Sequence, residues 1–363
     1  MINITKPTAI INPTICKSNI SRMANKANSN NKTFRPHFKT HQSGAIGNWF
    51  KDVGVKSITV SSVIMAEYFS LYGWKNITIA FPTNILEIDK INTIAKKITL
   101  NLLIESMEVL HLLQKKIHNK VNFFIKIDAG YHRTGVDISD IKKISVLIDE
   151  SKKSIKTNFI GFLIHNGHSY HANNKSDILN LYSNTRPHLK TLFQWKEKYH
   201  PKTILSFGDT PTLSVADNFN YIDEFRPGNF IFYDVMQLSI GSCSIEDIAV
   251  SVACPIVAKH KNRNEIITYG GGVHLSKESI KYQGQQSYGI PVIYNENGWT
   301  SIHGNVKSLS QEHGVITVDD DIFNKMNIGD VIGVLPIHSC LLPSLLGSYT
   351  DMKRNIFHCM ANF

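Results

Sequence analysis

Short runs of apolar and β-branched residues recur along the first two thirds of the chain. Between them lie longer stretches in which apolar positions repeat every three or four residues. The short runs predict strands, and the longer repeats predict helices with one buried face. Strands are expected at 34–40 (FRPHFKT), 57–62 (SITVSS), 76–81 (NITIAF), 98–104 (ITLNLLI), 121–128 (VNFFIKID), 159–165 (FIGFLIH), 203–208 (TILSFG) and 228–232 (GNFIF). Helices are expected at 64–73, 85–96, 106–118, 138–152 and 176–198. The second opens at Thr83-Asn84 and the fourth at Asp137, whose side chains suit a helix start because they accept hydrogen bonds from its unpaired amides. Eight strands alternating with helices over roughly 200 residues predict a closed parallel (β/α) barrel rather than an open sheet.

Beyond about residue 235 the texture changes. Apolar runs at 247–259, 264–269, 290–294, 314–318 and 330–335 follow one another with Gly and Asn turns between them and little room for helices. This pattern predicts an antiparallel β domain. The chain therefore divides into a barrel over 13–235 and a β domain over 236–363 joined by residues 1–12, with Arg226-Pro227-Gly228 near the seam.

Composition narrows the class. The longest apolar runs are strand-sized, well short of the ~18–20 residues a membrane helix needs. Residues 1–10, MINITKPTAI, lack the basic, apolar and small-residue regions of a secretory signal. The five cysteines (Cys16, Cys243, Cys254, Cys340, Cys359) are odd in number and scattered, which points away from a disulfide framework and toward a reducing cytoplasm. A net charge of +10 raises the question of nucleic acid, but the lysines come as dispersed pairs such as Lys96-Lys97 and Lys142-Lys143. No dense basic block is present, so a solvated surface and a small anionic ligand account for the charge.

In barrels of this kind chemistry sits where the strands end at their C-terminal side. There the sequence places Lys39 and His41, then Asp128 running into AGYHRTGVD with His132 and Arg133. His165 follows, with NGHSYH carrying His168 and His171, then GDTPT, and finally Tyr233-Asp234. Read alone, Gly208-Asp209-Thr210 is a turn capping a helix; it also suits phosphate, because glycine allows close backbone approach and threonine adds a hydroxyl. A lysine at one strand end facing a phosphate cradle points to pyridoxal 5′-phosphate (PLP) held as a Schiff base.

The stretch FRPHFKTHQS then resembles the lysine motif of the alanine-racemase-like PLP enzymes, and more narrowly the D-threonine aldolase and D-serine dehydratase branch. IDAGYHRTGVD, GFLIHNGHSYHA, LSFGDTPT, EFRPGNFIFYD, LSQEHG and IGDVIGVLPIHSC follow in the family's order. The resemblance implies that Lys39 carries the cofactor, with Arg133 at its ring oxygen and His165 in the pocket. It further implies that Gly208, Thr210 and Tyr233 meet the phosphate, and that the protein is a homodimer. His338 and Cys340 stand two apart, so on a strand both side chains leave one face. An imidazole and a thiolate so placed make half of a zinc site, although such a pair is also ordinary buried filler. In this family the matching pair binds a divalent metal. Departures occur at Gln42, where the branch often carries lysine, at TYGGGVHLS (268–276), and within 277–300, which reads as including an insertion.

The expected activity is β-elimination on a D-3-hydroxy amino acid such as D-serine or D-threonine, giving a 2-oxo acid and ammonia, with Lys39 taking the Cα proton and zinc on the 3-hydroxyl. The aldolase alternative cleaves the same substrate to glycine and an aldehyde, with His168 or His171 as base. An amino-acid racemase and a non-enzymatic PLP carrier are the remaining alternatives.

Overall fold

The computed structural model describes residues 4–360. They form two compact units: one contains Ser21–Lys39 and Gly47–Gly228, the other the residues up to Ile20, Thr40–Ile46 and those from Asn229 onward. The chain begins in the latter with β1 (Thr8–Ile11), and a helix over Pro13–Ser29 leads into the former.

The first of these units is the barrel. Its strands are β2 (Thr33–Phe34), β3 (Ile58–Val60), β4 (Asn76–Pro82), β5 (Thr99–Ile104), β6 (Val121–Asp128), β8 (Thr157–Ile164), β9 (Ile204–Phe207) and β10 (Glu224–Phe225), with the short β7 (Val136–Asp137) set against the end of β6. All pair in parallel, in the order β2-β10-β9-β8-β6-β5-β4-β3. His37 lies opposite Thr59 and closes the ring: Phe38 N donates to Thr59 O at 2.8 Å and Thr59 N to Pro36 O at 2.9 Å. The eight-stranded parallel barrel is thus the fold observed.

Local chemistry explains the elements. The helix Met107–Lys116 starts where Ser106 accepts from Val109 N, buries Leu110 and Leu113 three residues apart, and ends with Lys115 and Lys116 near its carbonyl end. Four details differ from the sequence reading. The eighth strand is Glu224–Phe225, not 228–232, because Pro227-Gly228 ends the ladder and Asn229 O then collects the amides of Phe232 and Tyr233. The first strand pairs only at Thr33–Phe34 and around His37, with Pro36 unable to donate between them. The fourth helix is capped by Asp140 rather than Asp137. Helices at Pro13–Ser29 and Gly44–Lys51 were not anticipated.

The barrel interior is layered. Across its N-terminal end runs a chain of asparagines: Asn158 donates to Asn122, Asn122 to Asn101 and Asn101 to Asn76, at 2.9–3.0 Å. Arg35 completes it through Asn76 and is itself paired with buried Glu224 at 2.7 Å. Above this, Leu103, Phe124 and Leu163 pack as an apolar layer. Gly161, at φ +148°, lets β8 pass β9 so closely that a Cβ would lie 2.0 Å from Ile204 O. The next inward position on β6 is Lys126, which is buried; burial and then the charge of Arg226 lower its pKa to about 8.

The second unit is antiparallel, as anticipated. Its remaining strands are β11 (Val250–His260), β12 (Glu265–Tyr269), β13 (Ile280–Tyr282), β14 (Gln285–Ser287), β15 (Gly289–Asn295), β16 (Gly298–Ser301), β17 (Gly304–Leu309), β18 (His313–Val318), β19 (Val331–Pro336), β20 (Ser348–Thr350) and β21 (Ile356–His358). One path runs β16-β15-β19-β11-β1-β20-β21, with β1 and β20 the parallel exception. A bulge between Ile256 and Ala258 turns the far half of β11 toward β12, which continues to β18 and β17. Val252, Ile266, Val292, Val306, Ile316 and Val334 fill the core.

Candidate active site

At the C-terminal ends of the barrel strands the structure gathers Lys39, Arg133, His165, Gly208 and Thr210. His165 Nδ1 lies 2.7 Å from Gly208 O, tying the end of β8 to the loop after β9. Burial lowers the pKa of His165 well below its ordinary value, and the charges of Lys39, Arg226 and Arg133 push the same way against the Gly208 bond. The ring is therefore neutral and stands among cations. Lys39 is exposed, and its amide donates to His37 Nδ1 at 3.3 Å.

The loop after β6 is built on Asp128. Its Oδ1 accepts from the amides of Gly130, Tyr131 and His132, each at 3.0 Å, and His132 is held in the left-handed region at φ +56°. That conformation is uncommon without glycine and is often held at functional loops. Arg133 then lies over the Tyr131 ring, 5.0 Å from its centre. His168 faces the same ring at 6.4 Å between centres, and its Nδ1 has no hydrogen-bond partner among the described residues. Burial, with the charges of His171 and His132, lowers the pKa of His168 against the pull of Asp128. His171 is exposed on the same single-turn helix, Gly167–His171.

The loop after β9 is a close fit. A Cβ at Gly208 would lie 2.6 Å from Arg226 O, so the backbone there is bare because a side chain has no room. Thr210 N donates to Tyr170 Oη at 3.1 Å, and Thr210 Oγ1 accepts from Gly228 N at 3.3 Å. Asp209, buried, caps the following turn through Thr212 N. The donor set suits a phosphate: a bare glycine backbone, two hydroxyls and neighbouring cations. Burial raises the Asp209 carboxyl to about 6, so it is neutral in mild acid and opposes an anion only once it ionises above that pH.

The other unit holds the remaining predicted residues. Tyr233 is buried at φ +47° and donates its amide to Asn229 O at 2.8 Å. His338 and Cys340 do come together, though not along a strand. Strand β19 ends at Pro336, His338 is the last extended residue, and Ser339–Leu341 form one 3-10 turn. Buried Asp234 holds that turn by accepting from Ser339 N at 2.9 Å, from Ser339 Oγ and from Asn229 Nδ2. Cys340 Sγ is 3.2 Å from Thr40 Oγ1 and 3.6 Å from Asn229 Nδ2. His338 Nδ1 lies 2.9 Å from Glu278 Oε2. Burial disfavours the charged imidazole, but hydrogen bonds with Cys340 and Glu278 hold its pKa up at about 11. Among the described residues no group of three or more His, Cys, Asp or Glu is arranged around a metal. The soft sulfur and adjacent imidazole nonetheless suit zinc as two ligands of an open site.

With this geometry in view, residues 11–235, more than half of the chain, match the alanine racemase N-terminal domain family. The chain belongs to that family. Residues 249–350 match a serine dehydratase domain. D-serine dehydratase of Dictyostelium discoideum is 28% identical over 379 residues, which cover 96% of this chain and 93% of that protein. D-threo-3-hydroxyaspartate dehydratase from Delftia sp. HT23 shares the fold at TM-score 0.89, 22% identity and 99% and 98% coverage of the two chains. D-threonine aldolase from Filomicrobium marinum shares it at TM-score 0.84, 16% identity and 98% and 97% coverage. The resemblance drawn from the motifs is the one these likenesses return.

Within this family frame, several functional neighbours had no signal of their own in the sequence. Arg226 reads as part of a seam, yet its guanidinium is buried, donating to Ser206 Oγ and Ile164 O beneath the cradle. Tyr170 reads as spacing between histidines. Thr40, Asn229 and Glu278 approach the His338–Cys340 pair from distant segments.

Proposed function

We propose that this protein is a PLP-dependent lyase acting on a D-3-hydroxy amino acid: water is eliminated across Cα–Cβ, and one water is taken up again as the resulting imine hydrolyses, so that the net products are a 2-oxo acid and ammonia. The observation that carries the reading is the joining of His338 with Cys340 in a unit whose sequence matches a serine dehydratase domain. In the barrel, Lys39 would bear the cofactor. Arg133 and His165 would stand at its ring, and Gly208, Thr210 and Tyr233 at its phosphate. PLP, when bound, draws electrons from the bonds at the substrate's Cα. Lys39 Nζ would take the Cα proton. Neutral His165 and the cations near it favour an anionic ligand without adding a competing acid.

His338 and Cys340 would hold a divalent metal, zinc by the softness of the sulfur, which supplies a Lewis acid to the 3-hydroxyl. One neighbour lends support: a cysteine-to-alanine mutant of D-threo-3-hydroxyaspartate dehydratase, which shares the fold at TM-score 0.90, is described in a metal-free form. The chain would work as a homodimer in the reducing cytoplasm, without nucleic acid. No disulfide joins any of the five cysteines, and no helix among the described residues is long and apolar enough to cross a membrane.

One observation favours a second reaction. His168, with a lowered pKa and an unpartnered Nδ1, is a competent base for deprotonating the 3-hydroxyl, as retro-aldol cleavage requires. Product analysis with D-threonine, PLP and zinc separates the two. Release of 2-oxobutanoate and ammonia establishes the dehydratase; glycine with acetaldehyde overturns it in favour of the aldolase.

A further inference from the structure

We infer, on the strength of the metal reading above, that Glu278 is a positioning residue for His338: its carboxylate holds the imidazole through Nδ1 and so reserves Nε2 for the metal. The contact is 2.9 Å between Glu278 Oε2 and His338 Nδ1. A ligating imidazole commonly gives its second N–H to a carboxylate, which fixes ring orientation and tautomer and raises the basicity of the nitrogen on the metal.

Both partners are held by their own backbones. Glu278 follows the short helix Gly272–Leu275, whose Leu275 is buried. Gly271 lies so close to the β17–β18 connection that a Cβ there would sit 2.3 Å from Gln311 O, and Gly272 N donates to Ser310 O at 2.8 Å. Ser276 then takes φ +67°, uncommon for a side-chain-bearing residue, and its hydroxyl accepts from Glu278 N at 3.2 Å. A tight glycine contact, a left-handed serine and a side-chain cap together aim Glu278. On the other side, His338 leads into the turn whose amide is fixed to Asp234.

As a surface ion pair the contact is weak. The glutamate side chain is 41% exposed and the histidine 30%, so solvent screens their attraction. Its use is therefore orientation rather than stability.

Zinc affinity, measured by competition with a chromophoric chelator on the full-length PLP-loaded protein, tests the assignment in wild type, H338A, E278A and E278Q. H338A tests the metal reading itself, and unchanged zinc affinity there overturns both that reading and this inference. With H338A weakened, E278A is expected to bind zinc about 10–100-fold less tightly, and E278Q to stay within about threefold because its amide oxygen still accepts from Nδ1. E278A at wild-type affinity while H338A is weakened overturns the positioning role and leaves the metal pair standing. Nitrogen NMR of zinc-loaded wild type needs no variant to fold: a proton on Nδ1 with zinc on Nε2 is expected, and zinc on Nδ1 overturns the inference.

Discussion

Asp209→Asn isolates the consequence of burying a carboxyl beside the phosphate cradle. Asp209 is 2% exposed, and its Oδ1 receives Thr212 N at 2.6 Å and the Ser169 hydroxyl at 2.9 Å. Its Oδ2 has no hydrogen-bond partner among the described residues. Burial is the largest influence and raises the pKa from its ordinary 3.8 to about 6, against those hydrogen bonds and the charge of Arg226. Between these two values the folded protein keeps a proton that the unfolded chain has released. Stability must therefore fall as pH rises through this window, the reverse of a salt-bridged carboxylate. The gap is worth ~3 kcal/mol when complete, and about half of it develops between pH 5 and 7.5. For a cooperative unit of ~200 residues, ~1.5 kcal/mol moves Tm by about 4 °C. Calorimetry on the cofactor-free wild type and D209N from pH 5 to 7.5 reads this directly, because every other titration cancels in the difference. The Tm of D209N minus that of wild type should rise by about 4 °C across the range. A flat difference would show that the carboxyl is ionised throughout and that the cradle tolerates an anion at its base.

Three further substitutions test the site. Lys39→Ala should leave no cofactor that borohydride can fix to the protein, and covalent attachment in this variant would sink the anchor assignment. Gly208→Ala places a Cβ 2.6 Å from Arg226 O, so it should cost about 1–3 kcal/mol of stability and loosen PLP; unchanged Tm and affinity would mean the cradle yields without cost. Cys340→Ala should lose turnover that added zinc does not restore while PLP stays bound, and wild-type turnover would remove the metal from the reaction.

How much of this was open to reading from the chain depended on how far apart the interacting groups lie. Strand β6 was legible because its alternation is local: Asn122, Phe124, Lys126 and Asp128 form one inward row, while Phe123, Ile125 and Ile127 pack on the other side. The eighth strand was misplaced because GNFIF is as apolar as any strand, and nothing in it shows that Asn229 O will collect two amides into a turn. The His338–Cys340 pair illustrates the limit. Spacing alone argues for a shared face only if the segment stays extended, whereas the two residues meet across a turn held by Asp234, 105 positions away. Glu278 lies 60 positions from His338, and Arg35 lies 189 from its partner Glu224. Such groups carry no local pattern, since a carboxylate that aims an imidazole and one that is merely solvated look alike along the chain. Local sequence constrains the groups that react, because a base, a bare glycine backbone and a hydroxyl must each be of one kind. The groups that orient them need only arrive with a suitable charge, so any segment the fold brings near can supply them, and the folded structure is where they first become visible.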